Sequence, residues 1–141
     1  MTPKGLKYKK EYSLELLKIA RGDLGSAKDL LGGSLGRPEN IFYLSQQAIE
    51  KAIKAVLCSS GIALIHTHDM EALVNQLPQD QLPPDSTQLF SLTEFATVRR
   101  YEEGFVILGP DDLKNIVNLA ERIIDWATAK IAAAGVRPNN P

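Results

Sequence analysis

The chain has 141 residues, 44% of them apolar, which is enough to build one core without disulfides or a structural metal. Its formal net charge of −1 excludes a global field that would draw it onto nucleic acid or an anionic membrane, so dedicated DNA binding is not expected. The single cysteine, Cys58, excludes an internal disulfide framework; it sits in an apolar helical run and reads as an inert buried thiol of a reducing cytoplasm.

The basic N-terminus, Met1 to Lys10, lacks the apolar stretch of a secretion signal, and no apolar run reaches the length of a membrane span. Residues 1–10 therefore read as a basic tail on a cytoplasmic protein. From there the apolar spacing is helical almost throughout, and strand-like alternation is absent. A first helix is expected over 11–31, with Leu14, Leu17, Ala20, Leu24, Ala27 and Leu31 as its buried stripe. Gly22 and Gly25 lie inside it, each less favourable than alanine by roughly 1 kcal/mol, and suggest close approach of a neighbouring helix.

A glycine-rich loop over 32–38 leads to a second helix over 40–58, whose core face carries Phe42, Ile49, Ala52, Ile53 and Val56. A third, shorter helix is expected from Thr67, as N-cap, to just before Pro78, with Met70, Leu73, Val74 and Leu77 buried. Asp69 and Glu71 place negative charge in its first turn, where the helix dipole favours it. Residues 78–85, with three prolines, form a connector.

Asp85 or Ser86 caps a fourth helix with Leu89, Leu92 and Ala96 as its stripe, flanked by Phe95 and reaching Arg99, Arg100 and Tyr101 before Gly104. Gly109-Pro110-Asp111-Asp112 is a strong helix start. The fifth helix carries Leu113, Ile116, Val117, Ala120, Ile123, Ile124, Ala127 and Ile131, and Gly135 closes it. Trp126 lies beside that stripe and reads either as a cover for the core edge or as part of a subunit interface. Residues 136–141 read as a disordered tail. The whole is an all-α chain whose five helices make one bundle over 11–135.

Three polar groupings are candidates for function. Gln47, Glu50, Lys51 and Lys54 stand at i, i+3, i+4 and i+7, forming one row expected to face away from the apolar stripe of the second helix. The row is either a solvated face with a Glu50–Lys54 pair, or a place where an amide and two ammonium groups meet an anionic ligand. Arg99 falls near the apolar stripe of the fourth helix and Arg100 on its flank. A core-facing arginine needs an anion, which Glu50 or a ligand phosphate can supply, unless it snorkels to water. His66, His68 and Asp69 are close in sequence but badly placed to share a metal, and capping is the simpler role. Phosphate-loop, zinc-protease and serine-hydrolase motifs are absent, and neither a metal nor a cofactor is expected.

Several segments taken together resemble the HEPN family (higher eukaryotes and prokaryotes nucleotide-binding). Residues 42–55, from Phe42 through Gln47, Glu50, Lys51 and Lys54 to Ala55, resemble the second-helix signature of that family. Thr67-His68-Asp69-Met70 resembles its Thr-His-Asp-Leu helix start, and Arg99-Arg100-Tyr101 its fourth-helix ending. Leu17-x-x-Ala20-x-x-Asp23-Leu24 is similar to its opening helix.

The resemblance implies an antiparallel up-and-down bundle of four to five helices, commonly a homodimer. It also implies a place beside a minimal nucleotidyltransferase, as a partner protein or in a toxin–antitoxin pair. Some members are metal-independent ribonucleases with an Arg-x4–6-His motif. Here the positions that would hold its arginine before His66 and His68 run from Ser59 to Ala63, and those that would hold its histidine after Arg99 and Arg100 run from Gly104 to Ile107. Neither stretch contains the required residue, and Glu102 stands where the family has proline.

The expectation is therefore a non-catalytic domain that binds a nucleotide or similar anion through Gln47, Lys51, Lys54 and Arg100. Glu50 and Asp69 would orient the basic groups, and Arg99, His68 and Tyr101 would line the same end. A ribonuclease with an unconventional Arg–His pair and a pure interaction module are the alternatives.

Overall fold

A computed structural model describes residues 8–33, 37–67, 69–89, 91 and 109–136. The first helix, α1, spans Tyr12–Gly32, and the second, α2, spans Pro38–Ser59 with Pro38 in its first turn. Proline lacks an N–H that the first turn would leave unbonded anyway, so it starts α2 two residues before the expected point. A five-residue helix, α3, covers Met70–Val74, and a single 3-10 turn covers Gln79–Gln81 within the proline-rich connector. The described part of α4 comprises residues 86–89 and 91, and α5 spans Pro110–Ala133. Among the described residues the elements are all helical. The rest of the expected fourth helix, with Arg99, Arg100 and Tyr101, falls outside the described residues, as do His68 and 137–141.

Two cross-links give the direction of packing. Arg21 donates to Thr128 at 2.9 Å and Lys28 to Glu121 at 2.8 Å, so as numbers rise along α1 they fall along α5. The two helices are antiparallel. The short connection between α1 and α2 makes that pair antiparallel as well, and the far end agrees: the Cys58 thiol donates to the Lys9 carbonyl at 3.3 Å. It follows that α2 and α5 run in the same sense, both against α1.

The core follows the expected stripes, with one systematic addition. Along α1, Leu17, Ala20, Leu24 and Ala27 are buried, while Leu14 and Leu31 are half-buried and pack on the core from its edge. All eight expected α5 positions are buried, together with Leu119. In α2 the burial goes well beyond one face: Ile41, Ser45, Ala48, Glu50, Ala55, Leu57, Cys58 and Ser59 join the expected five. This helix packs against α1, α3 and α5, so its C-terminal half has almost no solvent side. Trp126 is half-buried and packs against the core.

The buried hydroxyls are satisfied locally: Ser45 donates to the Ile41 carbonyl and Ser59 to that of Val56, both at 2.8 Å. The C-termini of α2 and α5 close in the same way. Gly61 and Gly135 take positive φ of 74° and 80°. The residue after each donates back five positions, Ile62 to Leu57 at 2.9 Å and Val136 to Ile131 at 3.4 Å. A side chain is strained at such a φ, and these bonds satisfy carbonyls the helix would leave open. Val136 is thereby folded against the bundle and buried, which corrects the expectation of a disordered tail beginning at 136.

Three local expectations are corrected. The α3 N-cap is Asp69 and not Thr67: the Asp69 carboxylate accepts from the Glu71 N–H at 3.0 Å, and Thr67 Oγ1 accepts from the Asp69 N–H at 3.0 Å. A carboxylate two residues later outcompetes the hydroxyl for the open helix end. Asp85 does sit at the start of α4, accepting from the Leu89 N–H, but it takes a φ of 58° and turns its carboxylate to Arg122 at 3.0 Å. Gly22 and Gly25 admit no intramolecular neighbour, since a Cβ on either would meet nothing within 4 Å. Both face solvent.

Ile53 is fully buried in the middle of α2. Ile53→Ala is expected to lower unfolding free energy by about 2–5 kcal/mol, read from the urea midpoint.

Candidate functional site

The row on α2 is less solvated than its spacing implied. Gln47 is exposed and Lys51 half-buried, but Glu50 retains 6% of its exposure, and the Lys54 side chain 13%. Glu50 is therefore a correction to the expectation of a row facing wholly away from the core. The cause is that α2 is enclosed by several helices, so the side opposite one apolar stripe is still covered by another neighbour.

Burial sets the electrostatics of the row. A carboxylate out of water needs cationic or hydrogen-bonding company, and Lys54 Nζ lies 3.9 Å from Glu50 Oε1, one turn away on the same helix. Desolvation pushes the Lys54 ammonium below the ordinary lysine range; Glu50 partly offsets this, and the like charge of Lys51 adds to it. Across the α1–α2 seam, burial raises the Asp23 carboxyl and the Lys51 charge pulls it back. Asp23, Glu50, Lys51 and Lys54 thus form a cluster of two acids and two bases on one edge of the bundle.

Asp23 was missed as a member of this cluster. In the sequence it stands out only within the Leu17-x-x-Ala20-x-x-Asp23-Leu24 pattern of α1. The usable signal was the short loop after α1, which folds α2 back along α1 and brings the Asp23 side of α1 against the row on α2.

The remaining candidates divide. Asp69 is exposed, and its carboxylate caps α3, accepting from Glu71 and from Ala72 at 3.5 Å. It orients a helix end here rather than a lysine. Gln76 ties the segment before α3 to its end, donating to the Ala63 carbonyl at 2.8 Å, while its Oε1 is buried without a hydrogen-bond partner. Among the described residues no three His, Cys, Asp or Glu side chains are grouped to hold a metal ion. Burial raises the Cys58 thiol above its usual range, as expected for an unreactive cysteine. No helix of the described residues is long and apolar enough to cross a membrane.

Set beside known proteins, the chain matches the family model for the HEPN domain over residues 13–131. The chain belongs to the HEPN family. The match runs from the start of α1 to the end of α5, so the α2 edge lies well inside the HEPN domain. A crystal structure of an archaeal HEPN homologue is 28% identical, covering 84% of this chain and 97% of that one with a TM-score of 0.64. No curated protein matches the chain. The HEPN bundle here is therefore the all-helical fold expected from the sequence, with the α2 edge as its candidate site.

Two outcomes follow from the site's chemistry. Asp69→Ala should lower stability by about 1 kcal/mol through loss of the α3 cap. The raised Asp23 carboxyl means that the folded state holds this proton more tightly than the unfolded state, so stability falls as pH rises through that interval. Asp23→Asn is therefore expected to stabilise more, or destabilise less, at about pH 7 than at about pH 3, where both states are protonated. Urea midpoints at the two pH values read the difference.

Proposed function

We propose that this HEPN domain is a non-catalytic nucleotide- or anion-binding protein that partners a minimal nucleotidyltransferase, in a context of the toxin–antitoxin kind. The reading is carried by one observation: Lys51 and Lys54 stand side by side on α2 with the Lys54 ammonium partly stripped of water. A phosphate placed against the pair would return the solvation and charge that burial removes. Gln47, exposed one turn away, offers an amide that both donates and accepts. In this reading Arg99, Arg100, Tyr101 and His68 complete the binding end, Glu50 holds the lysines in place, and Asp69 orders the start of α3.

The absence of an Arg-x4–6-His motif supports the non-catalytic side of the proposal. We include the homodimer that the family resemblance implies and the cytoplasmic setting expected from the sequence. Residues 11–135, closed by the buried Val136, form the functional domain.

Calorimetric titration with ATP, GTP and their monophosphates tests the site. Binding is expected, weakened at least tenfold, or about 1.4 kcal/mol, in Lys51→Ala and in Lys54→Met. Absence of heat with all four ligands at about 0.1 mM protein would remove the nucleotide reading. Cleavage of labelled RNA that survives EDTA and is lost in His68→Ala would replace it with a ribonuclease.

A further inference from the structure

We propose that the outer face of α1 is a self-association surface, on which a second copy of this chain packs its own α1 in antiparallel register. This assigns a surface to the homodimer proposed above and rests on that reading for stoichiometry alone.

The argument begins with an unexplained penalty. Gly22 and Gly25 each weaken α1 by roughly 1 kcal/mol relative to alanine. Neither φ is positive, and a Cβ on either would meet nothing within 4 Å. Nothing within the described fold calls for glycine at these positions. They belong to a line of exposed residues, Glu15, Lys18, Gly22, Gly25 and Asp29, spaced by threes and fours directly opposite the buried stripe. Two apolar side chains flank the line on the α2 side, Tyr12 at 37% exposure and Ile19 at 43%.

Glycines alone would leave the occupant open; the charges choose it. Arg21 and Lys28, on the α5 side of α1, are engaged by Thr128 and Glu121. Glu15, Lys18 and Asp29 have no ion-pair partner among the described residues. Placing two copies of α1 antiparallel about an axis midway between Gly22 and Gly25 sets Gly22 against Gly25 of the second copy, where the backbones can approach closely. The same register sets Lys18 against Asp29 of the second copy, twice by symmetry. Sliding the axis onto Gly22 would instead set Glu15 against Asp29, like against like. The charge pattern is thus complementary to itself in the register that pairs the glycines, as a two-fold interface requires.

Sedimentation of the full chain over about 1–500 µM tests this, a range suited to the small interface a helix pair provides. Wild type is expected to dimerise. Gly25→Gln should raise the dissociation constant at least tenfold without lowering the melting temperature, because its side chain enters open space in the monomer. Lys18→Glu and Asp29→Lys should each weaken the dimer, and the double reversal should restore it. A dimer insensitive to all of these overturns the α1 surface and leaves the homodimer reading standing. A wild-type chain that stays monomeric overturns both. Failure of the double reversal to restore association overturns the register.

Discussion

The enclosure of α2 is the constraint on which the rest of this structure depends. A helix packed by α1, α3 and α5 cannot reserve a full polar face, so its outer edge must carry charge at the margin of the core. Glu50 and Lys54 are the consequence. Each would be poorly placed alone, because a buried charge without company is costly, and together they offset part of that penalty. Lys51 and Asp23 extend the same balance across the seam to α1. A bundle edge of this kind is balanced in charge yet holds one cation, Lys54, that is short of solvent.

That arrangement connects packing to function. A fully solvated lysine row would gain little from a phosphate beyond screened attraction. A partly desolvated one gains more, because the ligand replaces missing water. The surrounding scaffold is suited to hold such an edge still. The Schellman closures at Gly61 and Gly135 fix where α2 and α5 stop. The Lys28–Glu121 and Arg122–Asp85 pairs are exposed and contribute little energy, but they record a single register between α1, α5 and the start of α4.

The sequence made much of this legible. The stripes of α1 and α5 are read directly from spacing, because each long helix buries one side. The same logic misplaced Glu50, since one-sided periodicity has no means of showing that a helix has neighbours on several sides. Asp23 was hidden for a related reason: its significance lies across the seam, in Lys51, and not along its own helix. Thr67 and Asp69 were both credible caps, and only the backbone path decides which reaches the open N–H groups. Gly22 and Gly25 stand out inside a helical stripe, but the close neighbour they suggest is not another helix of the described fold.

The most direct measurement is the titration of Lys54 by carbon-resolved NMR, with and without ATP. In the free protein Lys54 should titrate below an ordinary lysine, because burial and Lys51 disfavour its charge. Added ATP should move that titration upward, as phosphate stabilises the ammonium. An ordinary lysine titration that ATP leaves unchanged would contradict a desolvated, anion-binding edge on α2.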